Sequence, residues 1–194
     1  MTETIAELVW LAGMIAWYVI RHPFQRKARK ADVSKSLVDW REQAILAVLS
    51  LGLFVVPALV VASGHPVSLD RPFVPVIAWL GLLFLCAALW LFWRSHADLG
   101  RNWSASLKVR TAHTLVRTGV YRYVRHPMYS SFLLLAIAQA LLLSNWLADA
   151  AGLVAVGLLF ACRLLREERM MLDRFGEDYR SYMSTTTRIV PWLL

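Results

Sequence analysis

Residues 129–162 read YSSFLLLAIAQALLLSNWLADAAGLVAVGLLFAC, and this long apolar run decides how the chain folds. As one helix, its roughly 34 residues would reach about 50 Å, although the hydrocarbon core of a bilayer is only about 30 Å thick. Two shorter helices joined by a tight turn at residues 144–149 would fit that thickness. The two arrangements place the basic C-terminal tail on opposite sides of a membrane, so the charge distribution must choose between them.

Lysine and arginine residues fall into three clusters, and Arg71 is the single one outside them. Residues 21–41 hold seven, residues 94–125 hold seven and residues 163–188 hold six. Cytoplasmic segments of membrane proteins keep an excess of these residues because moving them across a bilayer is costly. We therefore expect all three clusters on the cytoplasmic side, which requires the run at 129–162 to cross the membrane twice.

Three further apolar runs complete the predicted topology. They cover residues 5–20, 44–62 and 73–93, and Pro57 predicts a kink in the second. Glu3 and Glu7 lie at the start of the first run and no basic residue precedes it, unlike in a signal peptide, so we expect a retained span with its N-terminus outside. The predicted fold class is an all-α integral membrane protein with five transmembrane helices, the N-terminus outside and the C-terminus inside.

Composition excludes several classes of function. The chain is 58% hydrophobic with a mean hydropathy of +0.51, which leaves too little polar surface for a water-soluble globule. Its net charge of +8 lies beside apolar spans and indicates anionic headgroups rather than nucleic acid. The middle of spans two to five carries no charged residue, which disfavours an ion transporter. Cys86, Cys162 and the five histidines lack redox or metal-ligand spacing, so we expect no metal.

The stretch HTLVRTGVYRYVRHPMY, from His113 to Tyr129, leads directly into the fourth span. Pro127 suits the first turn of a helix, because its missing N–H would be unsatisfied there anyway. His126, which the following proline restricts to extended backbone, would lie at the membrane surface beside free N–H groups. Such a helix start can bind a carboxylate or another polar ligand group.

The stretch RLLREERMMLDRFGEDYRSY, from Arg163 to Tyr182, follows the fifth span. Arg163 and Glu167 are four residues apart, so both side chains project from one face of a helix. Gly176 predicts the end of that helix, because glycine is the preferred C-terminal cap. A second short helix is expected over residues 177–183.

Together these motifs resemble the isoprenylcysteine carboxyl methyltransferase family of membrane enzymes, and the length and five-helix topology resemble a compact prokaryotic member. The resemblance covers about residues 99–191 and includes the sequence LGRNWS at 99–104, Leu-Val-x-x-Gly-x-Tyr, Arg-His-Pro-x-Tyr, and Phe-Gly-x-x-Tyr-x-x-Tyr. It implies S-adenosyl-L-methionine-dependent methylation of the C-terminal carboxylate of a prenylated cysteine at the membrane interface. The product of the cofactor would be S-adenosyl-L-homocysteine.

The resemblance also implies roles for individual residues. Arg163 would face the substrate, and Arg163 and Glu167 would be the catalytic residues. Ser106 departs from the family, whose members can place a glutamine there against the cofactor. The residues implied to bind the cofactor are His113, Thr114, Leu115, Val116, Tyr121, His126, Pro127, Met128, Tyr129 and Glu167.

This chemistry requires no catalytic base, because a carboxylate is already charged at pH 7 and a sulfonium methyl group is already activated. Arg163 would hold the carboxylate by charge-assisted hydrogen bonds, and Glu167 would receive the ammonium group of the cofactor. The prenyl group would enter laterally from the membrane and the cofactor from the cytoplasmic face. The expected partners are thus a prenylcysteine substrate and membrane lipids, with neither nucleic acid nor metal.

We expect a single structural domain made of two regions. Residues 1–98 would form the first three helices with a basic cytoplasmic loop, and residues 99–194 the catalytic region of cofactor loop, helix hairpin and C-terminal helices. Two alternatives stay open: a methyltransferase or reductase acting on another lipophilic substrate, such as a phospholipid or a sterol, and a non-enzymatic membrane scaffold.

Overall fold

The structure is a computed structural model that describes residues 1–29, 33–36, 39–64, 67–103, 108–110 and 114–191. Helices dominate it, as the sequence predicts, and one pair of short strands accompanies them. In chain order the elements are α1 (Glu3–Arg29), β1 (Val33–Ser36), α2 (Trp40–Ser50), α3 (Val56–Ser63), α4 (Pro75–Leu99), β2 (Lys108–Arg110), α5 (Pro127–Leu142), α6 (Trp146–Leu159), α7 (Leu165–Phe175) and α8 (Glu177–Thr185).

Four helical stretches within the described residues are long and apolar enough to cross a membrane. α5 is also apolar, but its 16 residues span only about 24 Å. The class of helical membrane protein is therefore supported, whereas the fifth crossing and the orientation of the chain stay predictions. The four stretches are Glu3–Ala28, Trp40–Ser63, Pro75–Leu99 and Trp146–Phe175.

Two helices extend well beyond the apolar runs that predict them. α1 continues past residue 20 to Arg29, and α4 continues past residue 93 to Leu99. Hydropathy marks where side chains leave the hydrocarbon, but the backbone hydrogen-bond ladder continues until a residue breaks it. In α4 that residue is Gly100, which has a φ of +52°. Parts of the first two basic clusters are therefore helical.

A π turn interrupts the regular helix at two places. The turn at Leu51–Val55 joins α2 to α3, and the turn at Phe160–Leu164 joins α6 to α7. The first precedes Pro57, whose nitrogen cannot donate to the carbonyl four residues earlier. The irregularity predicted at Pro57 is therefore found just before it. π turns are frequent at functional sites, and the second one contains Arg163.

α5 and α6 form the helix hairpin expected from the long apolar run. The chain turns at residues 143–145, at the start of the predicted interval 144–149. The turn comes early because Asn145 caps α6 and accepts hydrogen bonds of 3.0 and 3.3 Å from two N–H groups of its first turn. α5 packs along α4, where a Cβ on Gly81 would lie 2.9 Å from Cγ of Leu142.

The loop between α3 and α4 is fastened to this hairpin. Arg71 Nε donates to Asp149 Oδ2 at 3.0 Å, and its guanidinium also donates to the carbonyl of Ala140. Asn145 Nδ2 donates to Asp70 Oδ1 at 2.8 Å. The one basic residue outside the three clusters thus holds the turn end of the hairpin in place.

Two backbone pairings outside the helices were not predicted from the sequence. β1 and β2 pair in antiparallel fashion, although neither carries the apolar alternation typical of a strand. Val124 pairs with Thr187 in an isolated parallel bridge, and the N–H of His126 donates to the carbonyl of Arg188 at 2.9 Å. These pairings hold the C-terminal tail against the start of α5.

Candidate active site

A cavity of about 310 Å³ lies among α1, α2, the start of α5 and the junction of α6 with α7. Small-molecule sites have volumes of about 300–1,000 Å³ and mainly apolar walls with a few polar groups, as here. It is lined by Trp17, Tyr18, Arg21, Gln25, Leu46, Leu49, Ser50, Phe54, Leu99, Trp103, Tyr121, Arg125, His126, Pro127, Met128, Tyr129, Phe132, Arg163 and Glu167.

Most of the predicted site residues that the structure describes line this cavity. They come from the 3₁₀ turn at Gly119–Arg122, from the start of α5, and from the junction of α6 with α7. The helix start predicted at Pro127 is found. His126 precedes it with φ −125° and ψ 59°, which is not the extended backbone predicted for it, because its carbonyl accepts the first hydrogen bonds of α5 from Tyr129 and Ser130. The predicted residues on the cavity wall are Tyr121, His126, Pro127, Met128, Tyr129, Arg163 and Glu167.

Three predicted cofactor residues do not line the cavity. Thr114 is exposed, and Leu115 and Val116 follow it along the chain. Asn102 fixes Thr114 through two contacts, a 3.0 Å bond from Asn102 Nδ2 to the hydroxyl and a 3.1 Å bond from the Thr114 N–H to Asn102 Oδ1. The first half of the motif therefore docks on the turn after α4. His113 and Ser106 lie outside the described residues.

Glu167 presents its carboxylate to the cavity. Its Oε2 accepts a 2.7 Å hydrogen bond from the Tyr129 hydroxyl, and its Oε1 lies 3.9 Å from His126 Nδ1. The Glu167 side chain is 28% exposed, so part of the carboxylate is open to a ligand. An acceptor oriented in this way suits an ammonium group.

Glu168, the next residue, is buried and lies at the centre of an ion-pair network. It accepts hydrogen bonds from Arg125 Nη2 at 3.0 Å and from Arg188 Nε at 3.3 Å. His126 Nε2 lies 3.5 Å from the same carboxylate, which places the imidazole between two adjacent glutamates. No role for Glu168 was predicted from the sequence. Its contacts join α7, the start of α5 and the C-terminal tail.

Arg163 forms an ion pair with a residue that the sequence analysis missed. Its Nη2 lies 3.2 Å from Oε1 of Glu42, which is completely buried at the start of α2. The two residues flank predicted spans that are far apart in sequence, so no local spacing links them. The available signal was an acid directly before an apolar run, because such a residue needs a partner once it is buried.

The glycine of the Leu-Val-x-x-Gly-x-Tyr block has a clear structural reason. Gly119 adopts φ +63°, and any Cβ there would collide with the carboxylate of Asp98. That carboxylate accepts a 2.9 Å bond from the N–H of Val120 and fixes the turn. The turn places Tyr121 in the cavity wall, with its hydroxyl 3.4 Å from the carbonyl of Ser95. Burial raises the pKa of Tyr121 well above its usual value, so the hydroxyl stays protonated near neutral pH.

Helices long and apolar enough to cross a membrane define the class of helical membrane protein, and the cavity with its few polar groups is the candidate site. Its fold is similar to that of the solved eukaryotic intramembrane Ras methyltransferase, isoprenylcysteine carboxyl methyltransferase. The TM-score is 0.56 at 23% sequence identity, and the match covers 81% of this chain and 55% of that chain. At this identity the similarity establishes the fold alone.

Sequence comparison points to the same family. Residues 79–173 match the isoprenylcysteine carboxyl methyltransferase family, and this interval contains Arg163, Glu167 and the 113–129 motif. The match supports the resemblance that the sequence motifs carry.

Three relatives are named protein-S-isoprenylcysteine O-methyltransferase. The protein of Schizosaccharomyces pombe is 29% identical over 110 residues, which cover 56% of this chain and 47% of the relative. Form B of Arabidopsis thaliana is 34% identical over 96 residues, which cover 48% of this chain and 49% of the relative. The protein of Tribolium castaneum is 31% identical over 122 residues, which cover 60% of this chain and 43% of the relative. The matched region thus spans about half the length of each relative or less.

Proposed function

We propose that the chain transfers a methyl group from S-adenosyl-L-methionine to the C-terminal carboxylate of a prenylated cysteine. The observation that carries this proposal is a single cavity lined by a carboxylate, Glu167, and a guanidinium, Arg163, at the ends of apolar helices. A water-soluble methyl donor and a lipid-anchored acid can meet only at such an interface. The names of the three relatives support the same substrate class.

The donor supplies an electrophilic methyl group on a sulfonium: the new bond joins an acceptor carboxylate oxygen to the methyl carbon while the carbon–sulfur bond breaks, and its electron pair stays on sulfur. The products are a methyl ester and a neutral thioether, and no proton is transferred. The protein therefore needs no general base. Its task is to align acceptor oxygen, methyl carbon and sulfur and to exclude water from them.

Glu167 is the proposed anchor for the ammonium group of the donor. Tyr129 orients its carboxylate through the 2.7 Å hydrogen bond, and the His126 ring limits its movement from the other side. On the cavity wall, Glu167 provides a charged contact for the amino acid part of the donor. Tyr121, Met128 and Tyr129 provide apolar surfaces for the remainder of the donor. These residue types fit S-adenosyl-L-methionine.

Arg163 is the proposed contact for the acceptor. Its guanidinium can donate to a carboxylate in a paired geometry while its ion pair with Glu42 fixes its position. Because a π turn contains Arg163, its side chain is rotated relative to a regular helix. A residue held in this way contributes mainly to orientation, so its loss should lower the turnover rate more than the affinity for the donor.

The lipid part of the acceptor is proposed to enter between α1 and α2. α1 packs against α4 and α5, whereas α2 packs against α6, so these two helices are held by different neighbours. The rings of Trp17 and Phe54, 4.7 Å apart, close one end of the space between them. The cavity wall also carries Tyr18 of α1 and Leu46 and Leu49 of α2, whose apolar surfaces suit a prenyl chain. With the predicted orientation, the polar end of the cavity faces the cytoplasm.

A transfer assay tests the proposed function. The purified protein in neutral detergent is given S-adenosyl-L-methionine labelled in its methyl group, with N-acetyl-S-farnesylcysteine or the corresponding carboxamide as acceptor. We expect a base-labile labelled ester from the acid and no product from the amide. Labelling of a phospholipid acceptor without labelling of the farnesylcysteine would contradict the proposed substrate.

A further inference from the structure

α1 contributes to the cavity a stripe of side chains that lies outside the sequence motifs described above. Trp17, Arg21 and Gln25 follow one another at intervals of four residues, so they lie on one face of the helix. All three line the cavity, opposite the junction that carries Arg163. The cavity therefore receives a guanidinium from α1 in addition to those of Arg163 and of Arg125, which is paired with Glu168.

The guanidinium of Arg21 is fixed by two aromatic rings. Its central carbon lies 5.1 Å from the ring centroid of Trp17 and 5.7 Å from that of Trp103. Contacts at these distances are attractive, because the face of an indole ring carries partial negative charge. They restrict the side chain without neutralising its charge or occupying its N–H groups.

Arg21 and Arg163 differ in what neutralises their guanidinium groups. Arg163 lies 3.2 Å from the carboxylate of Glu42 and also interacts electrostatically with Glu167. Among the residues that the structure describes, Arg21 forms no ion pair with a carboxylate, and its charged neighbour is the cation of Arg163. Two cations that face one cavity with unequal compensation leave net positive charge on the side of Arg21. Such a site favours an anionic ligand between them.

We infer that Arg21 binds the carboxylate of the methyl acceptor as a second cationic contact beside Arg163, an inference that rests on the proposed function. Arg163 is positioned and largely neutralised by Glu42, so Arg21 supplies most of the charge that distinguishes an acid from a neutral acceptor. The position on α1 also places this contact at the gap through which the lipid is proposed to enter. The carboxylate is thereby held on the side of the cavity where the prenyl chain is proposed to enter.

The test compares acid with amide. Affinities of N-acetyl-S-farnesylcysteine and its carboxamide are measured in the presence of S-adenosyl-L-homocysteine for wild type, Arg21→Gln, Arg21→Lys and Arg26→Gln. We expect wild type to bind the acid tighter than the amide by about tenfold or more, as for a charge-assisted hydrogen bond. Arg21→Gln should bring the two affinities within about twofold, and Arg21→Lys should restore part of the preference.

Binding of S-adenosyl-L-homocysteine separates the possible failures. It should be unchanged in Arg21→Gln, which also shows that the variant is folded, and Arg26→Gln, on the same helix but off the cavity wall, should match wild type in every measurement. The role of Arg21 would be overturned if Arg21→Gln kept the preference for the acid. It would also be overturned if this variant alone lost the binding of S-adenosyl-L-homocysteine. Absence of that binding in wild type would instead contradict the proposed function itself.

Discussion

At the scale of single residues, two adjacent glutamates of α7 have opposite environments. Glu167 faces the cavity, is partly exposed and accepts one hydrogen bond from a tyrosine. Glu168 is buried and contacts Arg125, Arg188 and His126. Consecutive helix residues point about 100° apart, so one side chain can serve a ligand while the next holds the structure. The two carboxylates cannot exchange these tasks.

The buried network predicts a large effect of Glu168→Gln on stability. The substitution leaves the guanidinium of Arg125, which is 6% exposed, without its carboxylate. Breaking a buried pair in this way should lower the free energy of unfolding by about 3 kcal/mol. Unfolding in detergent, followed by circular dichroism, measures the change. Glu167→Gln is the neighbouring control and should cost clearly less; an equal loss in both variants would contradict the division of tasks.

At the scale of elements, the π turn at Leu51–Val55 is stabilised from a neighbouring helix. Gln139 of α5 donates to the carbonyl of Gly52 at 3.1 Å and to that of Ala148 at 2.6 Å. Because a π turn changes the hydrogen-bonding pattern of the backbone, such an external donor compensates for it. Gly52 also allows α6 to approach, since a Cβ there would collide with the carbonyl of Ala151.

This close approach predicts opposite results for two glycine substitutions. Gly52→Ala should lower the free energy of unfolding by about 1–3 kcal/mol, because the backbone of α6 must move. Gly157→Ala, whose Cβ would meet no atom within 4 Å, should be neutral or slightly stabilising. Thermal unfolding of both variants beside wild type makes the comparison. Equal midpoints would show that the contact between the π turn and α6 is not close.

How far the elements could be predicted depends on whether a local signal marks them. Pro127 starts α5 and Gly176 ends α7, because each residue imposes its own backbone geometry. The extension of α1 to Arg29 and the pairing of β1 with β2 carry no such signal. In both cases hydrogen bonding, rather than the hydropathy of the side chains, decides the structure.

At the scale of the whole molecule, the site combines two halves of the chain. Most of the predicted residues within 121–129 and 163–167 line the cavity, and they could be predicted because they lie in short motifs that carry the family resemblance. Glu42 and Arg21 could not be predicted in this way. Glu42 contacts Arg163 and Arg21 contacts Trp103, in each case across more than 80 residues of sequence. The division at residue 98 into membrane helices and catalytic region is kept as a proposal, although the cavity draws on both sides of it.

The turn end of the α5–α6 hairpin depends on Arg71. Arg71→Ala removes its bonds to Asp149 and to the carbonyl of Ala140, and should lower the free energy of unfolding by about 2 kcal/mol. Binding of S-adenosyl-L-homocysteine by the folded fraction should be unchanged, because this cluster and the cavity share no residue. Denaturant unfolding and ligand titration check the two statements. Arg71→Lys should recover part of the stability. A lower affinity of folded Arg71→Ala for S-adenosyl-L-homocysteine would contradict the independence of the Arg71 contacts and the cavity.

The five-helix topology makes a prediction for accessibility. With Cys86 and Cys162 replaced by serine, Ser68→Cys in the loop after α3 should react with an impermeant maleimide in intact cells. Ser184→Cys near the end of α8 should react only after permeabilisation, since the C-terminus is predicted to be cytoplasmic. Reaction of both variants from one side would contradict two crossings by α5 and α6. Reaction of Ser184→Cys alone in intact cells would reverse the orientation.

The most direct measurement is calorimetric titration of the detergent-purified protein with S-adenosyl-L-homocysteine, for wild type, Glu167→Gln, Tyr129→Phe and the surface control Glu177→Gln. We expect saturable binding by wild type and the control, a loss of about tenfold or more in Glu167→Gln, and a smaller loss in Tyr129→Phe. Equal binding by wild type and Glu167→Gln, or no binding by folded wild type, would contradict the assignment of this cavity as the methyl-donor site.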